Sequence, residues 1–229
     1  MKLSKPLQLA FQGSYSKTQI CIVRGESVLD SVEILGTRSS SELVPSLKTM
    51  LEIQKLQLSD FDFFSVNFGP GAFTSLRVVV VTVNALSFAS GIKNLPVCGL
   101  MALRERVLSL AHSFDFDFMA CMLNAYGGQA FVSIFNRTGD LVQGFDSVCL
   151  NLSDLPAMAK KFFGSQKILM VGNGAKAFTA ESPELIYDST LALLEPDAQS
   201  VARVAQKLFE GGAALHAKII PNYIKTGFK

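Results

Sequence analysis

One segment of the chain has residue types and spacing that could hold a ligand. It reads Gly69-Pro70-Gly71-Ala72-Phe73-Thr74-Ser75-Leu76-Arg77 and lies between a predicted strand and a predicted helix. Glycines allow a sharp turn, and the free amides at the start of a helix can bind an anion. The segment has neither the Gly-Lys-Ser/Thr of a Walker loop nor a dinucleotide fingerprint. It is therefore either an anion-binding turn or a tight turn that holds no ligand.

The elements that position this segment follow one order in both halves of the chain. Each half reads strand, strand, strand, helix, strand, helix. The predicted strands are 7–12, 18–23, 28–35 and 61–66, then 118–123, 130–135, 141–149 and 167–171. The helix after Arg77 is expected to end near Ser90-Gly91. Hydroxyl or carboxylate side chains within 39–42, 74–75 and 153–154 are expected to cap helices.

This repeated order predicts an α/β protein made by duplication, because the unit occurs only twice. We expect a first lobe at 1–103 and a second at 104–229, with a cleft between them. The C-terminal helix and tail are expected to be able to pack back on the first lobe. The actin-like ATPase superfamily has this doubled organisation, so by analogy the fold class is two duplicated actin-like (ribonuclease H-like) lobes.

Acidic residues are missing where phosphotransfer on this fold would need them. A magnesium-dependent phosphotransferase places carboxylates near the hairpin of each lobe, because Mg²⁺ prefers oxygen ligands. No Asp or Glu precedes Glu26, and none lies between Asp117 and Asp140. His112 and His216 have no partner at zinc-site spacing, and no nucleophile pair supports a protease. We therefore expect no metal and no catalytic residue.

The helix after Arg77 is apolar on two faces. Its first face carries Leu76, Val80, Val83 and Ser87, and its second carries Val78, Val81, Ala85 and Phe88. A helix of this kind has to be covered on more than one side. Either the fold covers both faces or a partner packs on the outer one. Four consecutive valines also favour a strand here.

Composition excludes several classes of protein. The chain has 229 residues, of which 49% are hydrophobic and 17% charged, so it is not a disordered chain. A formal net charge of +2 does not favour an autonomous RNA-binding protein. The four cysteines lie far apart, which is typical of reduced thiols in a cytoplasmic protein. The longest apolar stretch, 76–89, is shorter than the roughly 20 residues of a membrane span, so we expect no membrane association.

At 69–77 the chain resembles the TsaB (YeaZ) family, a subunit of the bacterial machinery that makes N6-threonylcarbamoyladenosine in tRNA. The family motif is Gly-Pro-Gly-Ser-Phe-Thr-Gly-Leu-Arg, from which this chain departs at Ala72 and Ser75. The likeness continues at 84–88 and 95–100 and returns at 171–174 and 221–225. The family's first-strand Asp is replaced within Phe11-Gln12-Gly13. Its second hairpin, Asp-Ala-Arg-x-Gly-Glu, is replaced by neutral residues at 124–129.

The resemblance implies a catalytically silent subunit required for forming this modification at position 37 of tRNA. Such a subunit binds and activates a TsaD-type transferase, and a TsaE-type ATPase docks on the pair. It can also form a homodimer, and it meets tRNA only through the complex. The implied partner-binding residues are Arg77, Val78, Val81, Ala85 and Phe88, and the motif loop contains Gly69, Pro70, Gly71, Phe73 and Thr74.

No cofactor is expected, and nucleotide binding is expected to be weak or absent, because the hairpin carboxylates are replaced. The alternative is an enzyme, an ATP-dependent phosphotransferase of the sugar-kinase type. The doubled strand–helix order favours that enzyme, whereas the acid-free hairpins argue against it.

Overall fold

The computed structural model describes residues 5–13, 15–108, 110, 113–178 and 182–224, so Ser14 and His112 lie outside it. Internal contacts divide the chain into two units. Unit 1 contains the chain up to Ala102 and also Pro196–Asn222, and unit 2 contains Leu103–Glu195 with the residues from Tyr223. The last helix of the chain therefore belongs with the first sheet.

Unit 1 is built on a five-stranded mixed sheet. Its strands are β1 (Leu7–Gly13), β2 (Lys17–Arg24), β3 (Ser27–Leu35), β4 (Phe63–Gly69) and β5 (Asn94–Cys98). Their order across the sheet is β3-β2-β1-β4-β5. The first three strands pair antiparallel, whereas β4 runs parallel to both β1 and β5.

Unit 2 repeats this sheet. Its strands are β6 (Phe118–Tyr126), β7 (Gln129–Asn136), β8 (Val148–Asn151), β9 (Ile168–Val171) and β10 (Leu185–Tyr187). Their order is β10-β9-β6-β7-β8, with antiparallel pairs from β6 to β8 and parallel pairs from β6 to β10. Order and direction match unit 1 strand for strand. The predicted duplicated actin-like fold is confirmed by this match.

Helices cover both faces of the unit 1 sheet. In the described ranges, the α-helices are α1 (Ser39–Gln54), α2 (Phe73–Ser90), α3 (Gly99–Val107), α4 (Leu155–Phe163) and α5 (Ala198–Glu210). Leu9 and Phe11 of β1 pack in the cluster that contains the buried side chains of α1 and α2. Ala10 between them packs instead against Ala198 and Ala202 of α5. Successive side chains of a strand point to opposite faces, so β1 is buried on both.

The third strand of the second half is shorter than predicted. The expected strand 141–149 is wrong for most of its length, because β8 begins only at Val148. Leu141 makes an isolated bridge to Phe135. Between the two, Gly144 and Ser147 have φ values of 85° and 56°, in the left-handed region that interrupts an extended chain.

The predicted side-chain caps are also wrong. Helix α2 begins after Ala72, which has no capping side chain, and α1 begins after Arg38. Ser39 is buried, and its hydroxyl oxygen lies 2.8 Å from that of Thr18 instead of capping the helix. Asp154 precedes α4 but makes no capping bond. The predicted left-handed end of α2 at Gly91 is confirmed, with a φ of 76°.

Candidate partner-docking site

The motif loop lies between β4 and α2 and is held by other parts of unit 1. The Asn67 carboxamide oxygen accepts a hydrogen bond from the Gly69 amide at 2.9 Å. Gly69 has a φ of 123°, and a Cβ there would lie 2.8 Å from the Asn222 carbonyl oxygen. A Cβ on Gly99 would lie 2.8 Å from the Pro70 carbonyl oxygen. These close approaches require glycine at both positions and account for the motif glycine Gly69 without a ligand.

Helix α2 presents one face to the sheet and another to solvent. Its buried residues are Leu76, Val79, Val80, Val83 and Ser87. The face predicted from Leu76, Val80, Val83 and Ser87 is therefore the core face. This face packs against β1 and β4, and Val79, Val80 and Val83 join the same hydrophobic cluster as Phe11.

The opposite face of α2 carries an exposed stripe. We define the α2 stripe as Phe73, Arg77, Val81, Ala85 and Phe88, which recur at three- and four-residue spacing. Val81 is 66% exposed and Phe88 91% exposed. The Arg77 guanidinium stacks 3.7 Å from the centre of the Phe73 ring. Four of the five predicted partner-binding residues therefore share this stripe.

The fifth predicted partner-binding residue, Val78, does not lie on the exposed stripe. It is half-buried and packs against the unit 1 core cluster. Of the motif-loop residues, Thr74 is exposed at the start of α2, while Pro70 is buried. The sequence analysis grouped Val78 with Val81 and Phe88, whereas in the structure Val78 is partly covered by the core cluster.

Among the described residues, α2 is also the one helix long and apolar enough to cross a membrane by length and composition alone. A core helix of a soluble protein passes the same test, so this finding is weak support for a span. The absence of membrane association remains a prediction.

A C-terminal segment of the chain runs along α2. We define the strap as residues 215–222. The Asn84 carboxamide pairs with Ile219 in both directions, donating to its carbonyl oxygen at 2.8 Å and accepting from its amide at 2.9 Å. The Ser87 hydroxyl oxygen lies 3.2 Å from the Ala217 carbonyl oxygen and 2.6 Å from the Ile92 carbonyl oxygen, to which it donates. The Asn222 amide donates to the Phe68 carbonyl at 2.7 Å, directly before the motif loop.

Neutral amides stand at the carboxyl ends of the central strands of unit 1. Phe11 is in register with Val66, which places Gln12 beside Asn67 on the neighbouring strand. Both amides are buried, and the Gln12 carboxamide nitrogen donates to the Gly13 carbonyl at 3.1 Å. The parallel-strand ends are where α/β sheets bind ligands. Neutral amides supply no anionic ligand for a cation there.

In unit 2, the β6–β7 hairpin turns through Tyr126, Gly127 and Gly128, all with positive φ. Near this hairpin the structure places a carboxylate that the sequence analysis did not single out, that of Glu195. Glu195 accepts a hydrogen bond from the Asn173 carboxamide at 2.9 Å, and Asn173 accepts one from the Asn124 amide. The second oxygen of Glu195 is buried and has no hydrogen-bond partner within the described part of the chain. No group of three or more His, Cys, Asp or Glu that could hold a metal occurs in that part.

Unit 1 also has a cavity beside Cys21 and a groove between α1 and α2. A polar one of about 260 Å³ adjoins Cys21, whose thiol pKa is raised to about 12, first by burial and then by Asp197 and Asp30. This thiol is protonated at neutral pH and cannot act as a nucleophile. A groove of about 540 Å³, which includes Leu47 and Leu51 of α1 and Leu86 of α2, is mostly apolar.

Comparison with known proteins settles the family. The family model described as TsaD, tRNA N6-adenosine threonylcarbamoyltransferase, matches residues 33–225. The chain belongs to the TsaD family. Within this family it is a divergent TsaB (YeaZ) member, as the motif at 69–77 predicted. The tRNA threonylcarbamoyladenosine biosynthesis protein TsaB of Buchnera aphidicola subsp. Schizaphis graminum is 20% identical over 176 residues, covering 76% of this chain and 81% of that protein.

Solved TsaB (YeaZ) structures share the fold. YeaZ from Pseudomonas aeruginosa has a TM-score of 0.74 and 20% identity, covering 95% of this chain and 99% of that one. A protein described as similar to the peptidase YeaZ from Pseudomonas aeruginosa has a TM-score of 0.76 and 19% identity, covering 96% and 100%. At these identities the likeness shows the architecture, which agrees with the two matching sheets.

Proposed function

We propose that this chain is a non-catalytic subunit that binds and activates a TsaD-type transferase, which forms N6-threonylcarbamoyladenosine at position 37 of tRNA. Family membership supports a role in the biosynthesis of tRNA threonylcarbamoyladenosine. The α2 stripe supports the more specific proposal that this chain binds the transferase. Unit 1 covers one face of α2 and leaves Val81 and Phe88 exposed on the other. An apolar stripe on a rigid helix is the surface that a stable protein partner covers.

The absence of catalysis is supported by the residues at the strand ends. Gln12 and Asn67 put neutral carboxamides where phosphotransfer needs oxygen anions for magnesium. The Cys21 thiol is held protonated. The chain accordingly binds nucleotide weakly or not at all, and the transferase supplies the reacting groups. These features also weigh against a phosphotransferase of the sugar-kinase type.

The remaining partners follow from the same proposal. The pair formed with the transferase receives a TsaE-type ATPase, and tRNA is reached only through the complex. In isolation, the chain covers its α2 stripe by forming a homodimer. The complex works in the cytoplasm.

The substitution Val81→Glu tests this proposal. Val81 points to solvent, so the variant is expected to fold, while a carboxylate in an apolar interface weakens binding to the TsaD-type subunit by about 100-fold or more. Titration calorimetry with the purified transferase subunit measures the affinity. Circular dichroism checks the fold.

Val28→Glu is the matched control, because Val28 is an exposed valine on the edge strand β3. It is expected to bind as the wild type does. Undiminished binding by a well-folded Val81→Glu variant contradicts the assignment of the stripe to the interface. An unfolded variant contradicts the exposed position of Val81.

A further inference from the structure

We propose that unit 1 contains a cooperative opening unit: strap residues 217–222, the loop at 69–72 and the first turn of α2 at 73–75 open and close together while the sheet stays folded. The inference concerns a conformational change within unit 1 and stands apart from the proposed function. One consequence, for binding of the transferase, rests on that function and is tested by a separate measurement.

The strap closes a ring of contacts around the start of α2. Ile219 is bonded to Asn84, near the middle of the helix, through both its amide and its carbonyl. Three residues later, the Asn222 amide donates to the Phe68 carbonyl oxygen at 2.7 Å, directly before the loop. Because only two residues separate Ile219 from Asn222, displacement of one attachment disturbs the other.

The loop is in direct contact with this end of the strap. Gly69 lies so close to the Asn222 carbonyl oxygen that a Cβ at Gly69 would be 2.8 Å from it. Helix α2 begins just after the loop, at Phe73, and no side chain caps its first turn. When Asn222 leaves, the Phe68 carbonyl loses its donor, and no cap holds the start of α2 in its place. The strap, the loop and the first turn therefore depend on one another.

The strap is attached by fewer contacts than the strands of the sheet. Within 215–222, Ile219 is the one side chain that is fully buried, and the rest are half-buried or exposed. The strap pairs with the sheet only where His216 and Asn94 exchange backbone hydrogen bonds of 2.8 Å. Segments with few buried apolar contacts open more often than core strands do. His216 is accordingly the hinge, and 217–222 is the part that opens.

Opening of this unit changes the exposed surface of α2. Phe73 of the α2 stripe lies in the first turn, and the Arg77 guanidinium stacks 3.7 Å from the centre of its ring. With the strap docked, this end of the stripe is ordered before a partner arrives, which lowers the entropy cost of binding. On the proposed function, the transferase therefore binds the form with the strap docked, and opening of the strap weakens binding.

Hydrogen exchange in the full chain, measured by NMR, compares Ile219→Ser with Ile220→Ser. The two variants carry the same chemical change on neighbouring residues that are 5% and 73% exposed. The amides of Gly69, Leu76 and Asn222 report on the loop, the first turn and the strap, because each donates a hydrogen bond there. Ile219→Ser is expected to accelerate exchange at all three about tenfold or more, since its burial stabilises the docked strap. Ile220→Ser and the amides of β1 are expected to show no change.

Asn84→Ala is the second variant, and it decides the matter if Ile219→Ser does not fold. It removes both side-chain bonds to Ile219 without emptying a core position, and the same three amides are expected to exchange faster. Titration calorimetry with the TsaD-type subunit measures the consequence for binding. Both Ile219→Ser and Asn84→Ala are expected to bind about threefold or more weakly, whereas Ile220→Ser binds as the wild type does.

Each outcome bears on a separate claim. Faster exchange at Asn222 with unchanged exchange at Gly69 and Leu76 overturns the coupling of strap, loop and helix. Equal acceleration in β1, or in Ile220→Ser, overturns the opening unit, because the sheet or any change in the strap then gives the same effect. Faster exchange at the three amides with unchanged binding overturns only the consequence for the transferase. Undiminished binding by Val81→Glu contradicts the proposed function and leaves the opening unit standing.

Discussion

At the scale of single residues, polar side chains in this protein mostly tie the backbone together. Asn67 fixes the Gly69 amide of the motif loop. The Asn84 carboxamide forms hydrogen bonds with both the amide and the carbonyl of Ile219, as the backbone of a neighbouring β-strand would. Side chains of these types could have been ligands in another protein of similar fold. Here these side chains form hydrogen bonds with the backbone of the same chain.

Asn84→Ala is predicted to lower the free energy of unfolding by about 2 kcal/mol, because two hydrogen bonds are lost and two backbone groups of the strap are left without partners. Urea denaturation measures this change. Thr74→Ala, at an exposed position of the same helix, is the control and should change stability by less than about 0.5 kcal/mol. An equally small loss for Asn84→Ala would mean that the strap is not held through this side chain.

At the scale of elements, the two units differ most after their fourth strand. In unit 1, β4 leads into the 18 residues of α2, whereas in unit 2 β9 leads into a 3₁₀ turn at Ala175–Ala177. Among the described residues, a long helix with an exposed apolar face therefore follows the fourth strand in unit 1 but not in unit 2. Helix α5 packs on β1 and β2 of unit 1, opposite the face covered by α1 and α2.

The start of α5 carries a reciprocal cap that supports this packing. The Asp197 carboxylate accepts from the Ser200 amide at 2.7 Å, and the Asp197 amide donates to the Ser200 hydroxyl at 3.1 Å. Asp197→Ala is predicted to lower the unfolding free energy by about 1 kcal/mol. Asp154→Ala is the control, since Asp154 precedes α4 without capping it, and thermal unfolding compares the two. Equal losses would contradict a role for the cap.

The order of most elements along the chain and the end of α2 could be predicted because they follow from local patterns. Apolar runs marked β1, β2, β4, β6 and β7 within a few residues, and Gly91 marked the end of α2. The short strand β10 could not be found, because three residues carry no periodicity. The strap and Glu195 depend on contacts between distant parts of the chain, such as Asn84 with Ile219, and no local pattern reports these.

At the scale of the whole molecule, two copies of one sheet have diverged in what surrounds them. Both keep the same strand order and directions, as duplication predicts. Unit 1 has gained an apolar stripe and a strap that borders it. Neither central hairpin has an Asp or Glu among its described residues. The retained fold and the exposed apolar stripe agree with the proposed role of a non-catalytic partner subunit.

The central claim is tested most directly by reconstituting tRNA threonylcarbamoylation from purified components. We predict that the TsaD-type subunit modifies tRNA only when this chain is added, and that this chain alone produces no modified nucleoside. Mass spectrometry of digested tRNA provides the measurement. Full activity of the transferase without this chain, or modification by this chain alone, would contradict the account.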